Sequence, residues 1–238
     1  MISQVNMLVV LFNNILDRRM IKLGQFKVSK ELFGPTNTIQ FIIDVYTQQA
    51  RLQDSALHFR IVEAPIRPTE PLSLRNLDPE RTMLGELPAS LLGDHIRLQQ
   101  VLANLLRNAL RFSRSMPVYI FAAYDYYARK LVVQISDCGQ GLSAGKLQEI
   151  RALLKAPALD ETRSNEDDDD GSNLAICKKI IDLSGGEVTA YSAGTDQGAI
   201  FQFSMAMEEP LLEEVEEEEP LAVEPCAQDL IEEQSQPE

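Results

Sequence analysis

The stretch Asp94–Phe112 constrains this chain more than any other. Behind an aspartate suited to capping a first turn, apolar residues recur at Ile96, Leu98, Val101, Leu102, Leu105, Leu106, Ala109 and Leu110, the spacing of a strongly amphipathic helix. A stripe that wide has to be covered by another layer of structure. Within it stand Asn104 and Asn108, four residues apart and therefore on one side of the helix, with Arg111 three residues further along. Burying two carboxamides is costly unless each is hydrogen-bonded or meets a ligand. Taken alone, such a pair is more often a polar network than a ligand set. The second reading has a definite chemistry, because two amide oxygens and a cation suit a metal-bound phosphate chain, and Mg²⁺ prefers hard oxygen ligands.

The rest of the chain alternates between strand and helix patterns. Residues 1 to about 24 carry Val5, Val9, Phe12, Leu16, Arg19 and Leu23 in 4-3 spacing, a coiled-coil-like seam, with Leu8, Leu11 and Ile15 on another face. That helix packs either on its own domain or against partner helices. Phe26–Phe33 alternates like a strand, Pro35 opens a helix to about Leu52, and Leu57–Val62 reads as a second strand. Five prolines between Ala64 and Pro88 argue for loop. Val118–Tyr124 and Lys130–Ser136 predict paired strands about a turn. Leu147–Leu154 predicts a short helix, 157–170 a polar loop, and Leu174–Leu183 a further helix. Glu187–Ser192 and Ala199–Met205 close the pattern as two strands joined through Gly194 and Gly198. Strands and helices segregate as in an α+β two-layer sandwich.

Charge is placed very unevenly. The net charge is -14, yet 13 of the 36 acidic residues and none of the 22 basic ones fall from Glu208 onward. The remainder is nearly neutral and offers no basic stripe for nucleic acid. The segment 208–238 reads as a disordered acidic tail, a solubilising extension or a ligand for a basic partner. Three cysteines without CxxC spacing and two histidines make a zinc site improbable and suit a reduced, cytoplasmic protein. The apolar run Met7–Phe12 is far short of a membrane span.

Two further segments carry chemistry. Asp137-Cys-Gly139-Gln-Gly141-Leu142 follows a predicted strand directly. A carboxylate there can accept a hydrogen bond from an exocyclic amine, while the glycines allow a flat base close to the backbone. An Asp-containing turn is an equally good reading of that segment alone. Gly171-Ser-Asn-Leu174 begins a glycine turn into a helix whose free N–H groups could face an anion, although an ordinary capped helix has the same appearance.

In this order and spacing the three segments resemble the N, G1 and G2 boxes of the superfamily of histidine kinases, gyrase and Hsp90-like ATPases. Asp94–Leu98 and Gly185–Met205 are similar to the sensor-kinase branch. The resemblance implies a Bergerat-type sandwich, a mixed sheet with helices on one face, binding ATP with Mg²⁺. Asp137 would then bind the adenine amine and Asn108 would ligate Mg²⁺. Asn104 would stand at the position of a base or water-orienting group, and Arg111 would contact phosphate. Gly139 and Gly141 would shape the adenine floor, with Gly171 and Leu174 lining the nucleotide from the third box. Phe12–Asp17 and Ile21–Phe26 resemble the second helix of a dimerisation hairpin and the strand after it, in hybrid sensor kinases. The implied organisation is a hairpin remnant at 1–25, a catalytic domain at 26–207 and the acidic tail at 208–238.

This sequence departs from the family pattern in three places. The helix bearing the phosphoacceptor histidine is not present, and neither His58 nor His95 lies where it would be. The glycine-rich lid is replaced by Asn165–Asp170, with Asn173 at the second glycine of its box. No phenylalanine stands in Leu147–Ala156. The resemblance therefore implies a histidine kinase-like protein that, if active, phosphorylates a histidine on another chain's hairpin in two-component signalling, with a response regulator downstream. It would form a homodimer or heterodimer through its first helix. The alternative is an inactive pseudokinase serving as a binding or dimerisation partner. A clamp of the gyrase or Hsp90 type needs a carboxylate base where Asn104 stands.

Overall fold

The computed structural model describes residue 20 and residues 27–62, 85–156 and 169–210. The coiled-coil-like helix over 1–24 (Met20 apart), the proline-rich segment 63–84, most of the polar loop before Asp169 and the acidic segment beyond Pro210 lie outside the described residues.

Seven strands and four helices follow one another among the described residues. They are β1 (Glu31–Phe33), α1 (Pro35–Leu52), β2 (Leu57–Ile61), β3 (Leu91–Gly93), α2 (His95–Phe112), β4 (Val118–Asp125), β5 (Lys130–Asp137), α3 (Ala144–Lys155), α4 (Asp169–Leu183), β6 (Val188–Tyr191) and β7 (Ala199–Ala206). The main sheet has the order β2-β4-β5-β7-β6. Strands β2 and β4 run parallel and every other neighbouring pair antiparallel, so the sheet is mixed as expected.

Alternation decides which residues meet the helices. Val118, Ile120, Ala122 and Tyr124 of β4, with Leu131, Val133 and Ile135 of β5, join one core with the apolar faces of all four helices. The other set, Phe121 and Ala123 with Val62, forms a small separate cluster on the opposite face. Helix α2 supplies much of the main core. Leu98, Val101 and Leu106 are fully buried and Leu102, Leu105 and Leu110 nearly so, each contributing roughly 1.5–3 kcal/mol of gross burial energy. Asp94 caps it by accepting the Arg97 N–H at 3.0 Å. Ile96, counted in the apolar stripe, is instead exposed in the first turn.

Three other expectations need correction. The strand expected over Phe26–Phe33 shrinks to Glu31–Phe33, which pairs with Leu91–Gly93 in a ribbon apart from the main sheet. Upstream, the Ser29 N–H goes to the Asp94 carboxylate at 2.8 Å rather than to a ladder partner. The helix expected from Leu147 begins at Ala144, because Ser143 accepts the Lys146 N–H and caps it. Helix α4 begins at Asp169, so Gly171 lies within its first turn rather than in a turn before it. Acidic residues are favourable at a helix N-terminus, where the free N–H groups concentrate positive potential. Pairing also continues to Glu208, which exchanges both backbone hydrogen bonds with Leu92, just past the boundary expected at 207. No helix among the described residues is long and apolar enough to cross a membrane.

Candidate functional site

The two asparagines of α2 prove to be differently employed. Asn104 is 3% exposed and its side chain hydrogen-bonds the thiol of Cys177 on α4, itself fully buried. Burial pushes that thiol up to about 12, against the lowering effect of the Asn104 bond and of the Arg107 charge. Asn104 thus works at the α2–α4 seam. Asn108, one turn on, has its Oδ1 buried with no hydrogen-bond partner among the described residues. An unsatisfied buried acceptor costs about 1–3 kcal/mol, so this oxygen suits a ligand in a way that Asn104 does not. Arg111, on the exposed end of the helix, holds its guanidinium carbon 5.2 Å from the centre of the Phe112 ring.

Asp137 ends β5 and is 6% exposed. Its Oδ1 accepts the Gly139 N–H at 2.9 Å. Burial raises its carboxyl above the ordinary range. The backbone N–H groups of Gly139, Ala199 and Asp137 itself oppose that shift, and no basic side chain among the described residues contributes. A desolvated carboxylate of this kind favours any donor that reaches it.

The turn that follows is clamped from two sides. The Gln140 N–H donates to Phe112 O at 3.1 Å, Asp196 N–H to Gln140 O at 2.7 Å, and Gly198 N–H to Gly139 O at 3.1 Å. Ser192 joins them, accepting the Leu142 N–H at 3.0 Å and donating to Gly198 O at 2.6 Å. A Cβ on Gly139 would stand 1.9 Å from Phe112 O; one on Gly141, where φ is +62°, would stand 2.1 Å from Gly194 O. The missing side chains therefore make room for the protein's own backbone. These backbone contacts are a demand on the two glycines beside the expected approach of a base. The same contacts bring the end of α2, and with it Asn108 and Arg111, beside the turn that carries Asp137.

The third segment lies along α4. Gly171 sits in the first turn of α4, and Leu174 is 5% exposed, packed in the main core. Asn173 is buried as well. Sequence reasoning missed Cys177 as the partner of Asn104, and Ser192 as the hub of the β6–β7 loop. It also passed over Arg107 and Arg114, although a spacing of four and three about Arg111 was the available signal.

No group of three or more His, Cys, Asp or Glu among the described residues could hold a metal by itself. A metal here has to arrive with its own oxygen ligands, and Mg²⁺ does so on phosphate chains, needing only one or two protein donors. The unpartnered Asn108 Oδ1 fits that requirement.

Known proteins resemble this chain in sequence and in fold. Residues 93–209 match the family described as histidine kinase-, DNA gyrase B-, and HSP90-like ATPase. The chain is 26% identical over 212 residues to the autoinducer 2 sensor kinase/phosphatase LuxQ of Vibrio vulnificus, an alignment covering 87% of this chain and 22% of LuxQ. It is 34% identical over 124 residues to the sensor histidine kinase GacS of Pseudomonas protegens, covering 50% of this chain and 13% of GacS. The chain thus spans less than a quarter of these relatives. In fold it is similar to full-length ShkA, solved in complex with AMPPNP (TM-score 0.60, 20% identity, 85% of this chain and 36% of that one). The Acinetobacter baumannii histidine kinase AdeS is also similar (TM-score 0.54, 17% identity, 87% and 82%). Residues 93–209 are thus a histidine kinase-, gyrase B- and HSP90-like ATPase domain.

Proposed function

We propose that this domain binds ATP with Mg²⁺ and, in a two-component pathway in the cytoplasm, donates the γ-phosphate to a histidine on a partner hairpin. The reading rests above all on Asp137, a carboxylate buried at a strand end without a basic partner among the described residues and held on a rigid glycine turn. Asp137 accepts the adenine amine, and Gly139 and Gly141 keep the turn narrow enough to form the floor. Asn108 Oδ1 holds Mg²⁺, which when bound neutralises phosphate charge. Arg111 pairs with phosphate oxygens, Gly171 offers its N–H near the terminal phosphates, and Leu174 supports that wall from the core.

One observation favours a second reading, nucleotide binding without phosphoryl transfer. Asn104 stands where a base or water-orienting group would act, yet it is buried and bonded to Cys177. Association through the first helix, with a like chain or a homologous hairpin, suits either reading.

Titration of the purified chain with labelled ATP, with and without Mg²⁺, tests the binding. Asp137→Asn removes a charge-assisted bond of about 1.5–3 kcal/mol, so affinity should fall roughly 10- to 150-fold. Equal affinity would refute the pocket. Asn108→Ala should abolish the enhancement by Mg²⁺ while leaving Mg²⁺-free binding in place. Acid-labile phosphate on an added sensor-kinase hairpin separates the enzyme from the pseudokinase.

A further inference from the structure

A second concave feature adjoins the proposed nucleotide pocket without being lined by Asp137. The C-terminal ends of α1 and α2 enclose an open cleft of about 560 Å³ whose polar lining is Gln49, Gln53, Arg107, Arg111, Arg114 and Ser115. It shares only Arg111 with the proposed nucleotide pocket; Asn104, Asn108 and Asp137 do not line it. Three arginines line it, and no carboxylate among the described residues does. Asp196 bonds Arg114 from outside at 2.7 Å, in a pair 63% and 70% exposed, the class of ion pair that contributes least. The Gln49 Oε1 is buried with no hydrogen-bond partner among the described residues, an acceptor suited to the N–H of an extended backbone.

We propose that the acidic run Glu213–Glu219 of this same chain docks in the cleft. Six of its seven residues are glutamates, and Val215 is the exception. The run carries more carboxylates than the chain's other dense acidic stretch, Glu166–Asp170, which leads straight into α4, and 208–238 as a whole holds 13 acidic and no basic residues.

Reach and register agree as well. Glu208 is pinned to Leu92 by hydrogen bonds of 2.7 and 3.2 Å, beside the start of α2. At 1.5 Å per residue, Arg107 and Arg111 lie about 20–26 Å along that helix from Asp94. An extended chain leaving Glu208 reaches about 17 Å at Glu213 and about 36 Å at Glu219. The glutamates therefore span the distance at which the arginines stand.

Disulfide trapping in the full chain tests this, with no nucleotide present, so its failure would leave the ATP reading untouched. The substitutions Ser115→Cys and Val215→Cys place one thiol in the cleft and one in the acidic run, and native Cys226 serves as an internal comparator. Linkage partners are identified by peptide mapping after mild oxidation. For an undocked tail the tethers beyond Glu208 are 7 residues to 215 and 18 to 226, and the shorter reaches residue 115 only when nearly straight, so 226 should link at least as fast as 215. Docking predicts at least a fivefold preference for 215 at low salt. The preference for 215 should be lost at 1 M salt, where the Debye length is about 3 Å, and in the Arg107→Gln/Arg114→Gln background. Linkage to 226 as fast as or faster than to 215 at low salt would overturn the proposal. So would a preference surviving both salt and arginine removal, or linkage predominantly between mass-labelled copies.

Discussion

Replacing Gly139 with alanine separates two reasons for a glycine at that position. If the residue serves only to let a base approach, Gly139→Ala should weaken nucleotide binding and leave the empty protein as stable as before. The geometry says otherwise. The new Cβ would lie 1.9 Å from Phe112 O and 2.6 Å from the Ser113 Cα, where ordinary contact is 3.4 Å or more. The end of α2 and the glycine turn must separate by about 1.5 Å, which breaks the 3.1 Å bond from Gln140 N–H to Phe112 O. Overpacking of this kind costs about 1–3 kcal/mol and the lost hydrogen bond about 1 kcal/mol more. For a chain of this size each kcal/mol moves Tm by about 2–4 °C, so a fall of roughly 5–15 °C is expected without any ligand. Gly145→Ala is the matched control. Nothing lies within 4 Å of its Cβ and it sits in α3, so alanine should raise stability by up to about 1 kcal/mol. Scanning calorimetry of the nucleotide-free proteins decides the matter. An unchanged Tm for Gly139→Ala, with binding alone impaired, would refute the packing argument.

Three more outcomes follow from the described contacts. Burial raises the Asp137 carboxyl, so its contribution to stability is fully present below the unfolded carboxylate pKa and is lost as pH rises through the folded value. Asp137→Asn, which does not titrate, should therefore gain on the wild type in Tm from about pH 4 upward; a gap moving the other way would show that Asp137 is held ionised. The Cys177 thiol, buried and pushed up to about 12, should not react with a disulfide reagent at pH 8 until the protein is unfolded, and prompt labelling of the native chain at that residue would contradict its placement. Asp94→Ala removes the cap on Arg97 N–H and the partner of Ser29 N–H, so urea denaturation should show a loss of about 0.5–2 kcal/mol, with Asp94→Asn losing less.

Elements with long, regular patterns were legible in the sequence. Helix α2, the β4–β5 pair and the closing strands β6 and β7 fall within a few residues of where periodicity placed them, because each buries one continuous apolar face. Elements defined by a distant partner were not. Strands β1 and β3 are three residues each, too short for a period to show, and exist because they pair with one another across the chain. The site divides the same way. Residue types and spacing identified Asp137, Asn108 and the glycines as candidates, but the reason for each glycine lay in Phe112 and Gly194, which no local pattern connects to it. Asn104 and Asn108 make the point most sharply. They are the same residue one helical turn apart, and nothing in their immediate sequence ranks one above the other. What distinguishes them is that α4 sets Cys177 against Asn104 and leaves the Asn108 Oδ1 with no partner among the described residues. A buried amide that has found its hydrogen bond is part of the core, while one that has not still has a bond to give to a ligand.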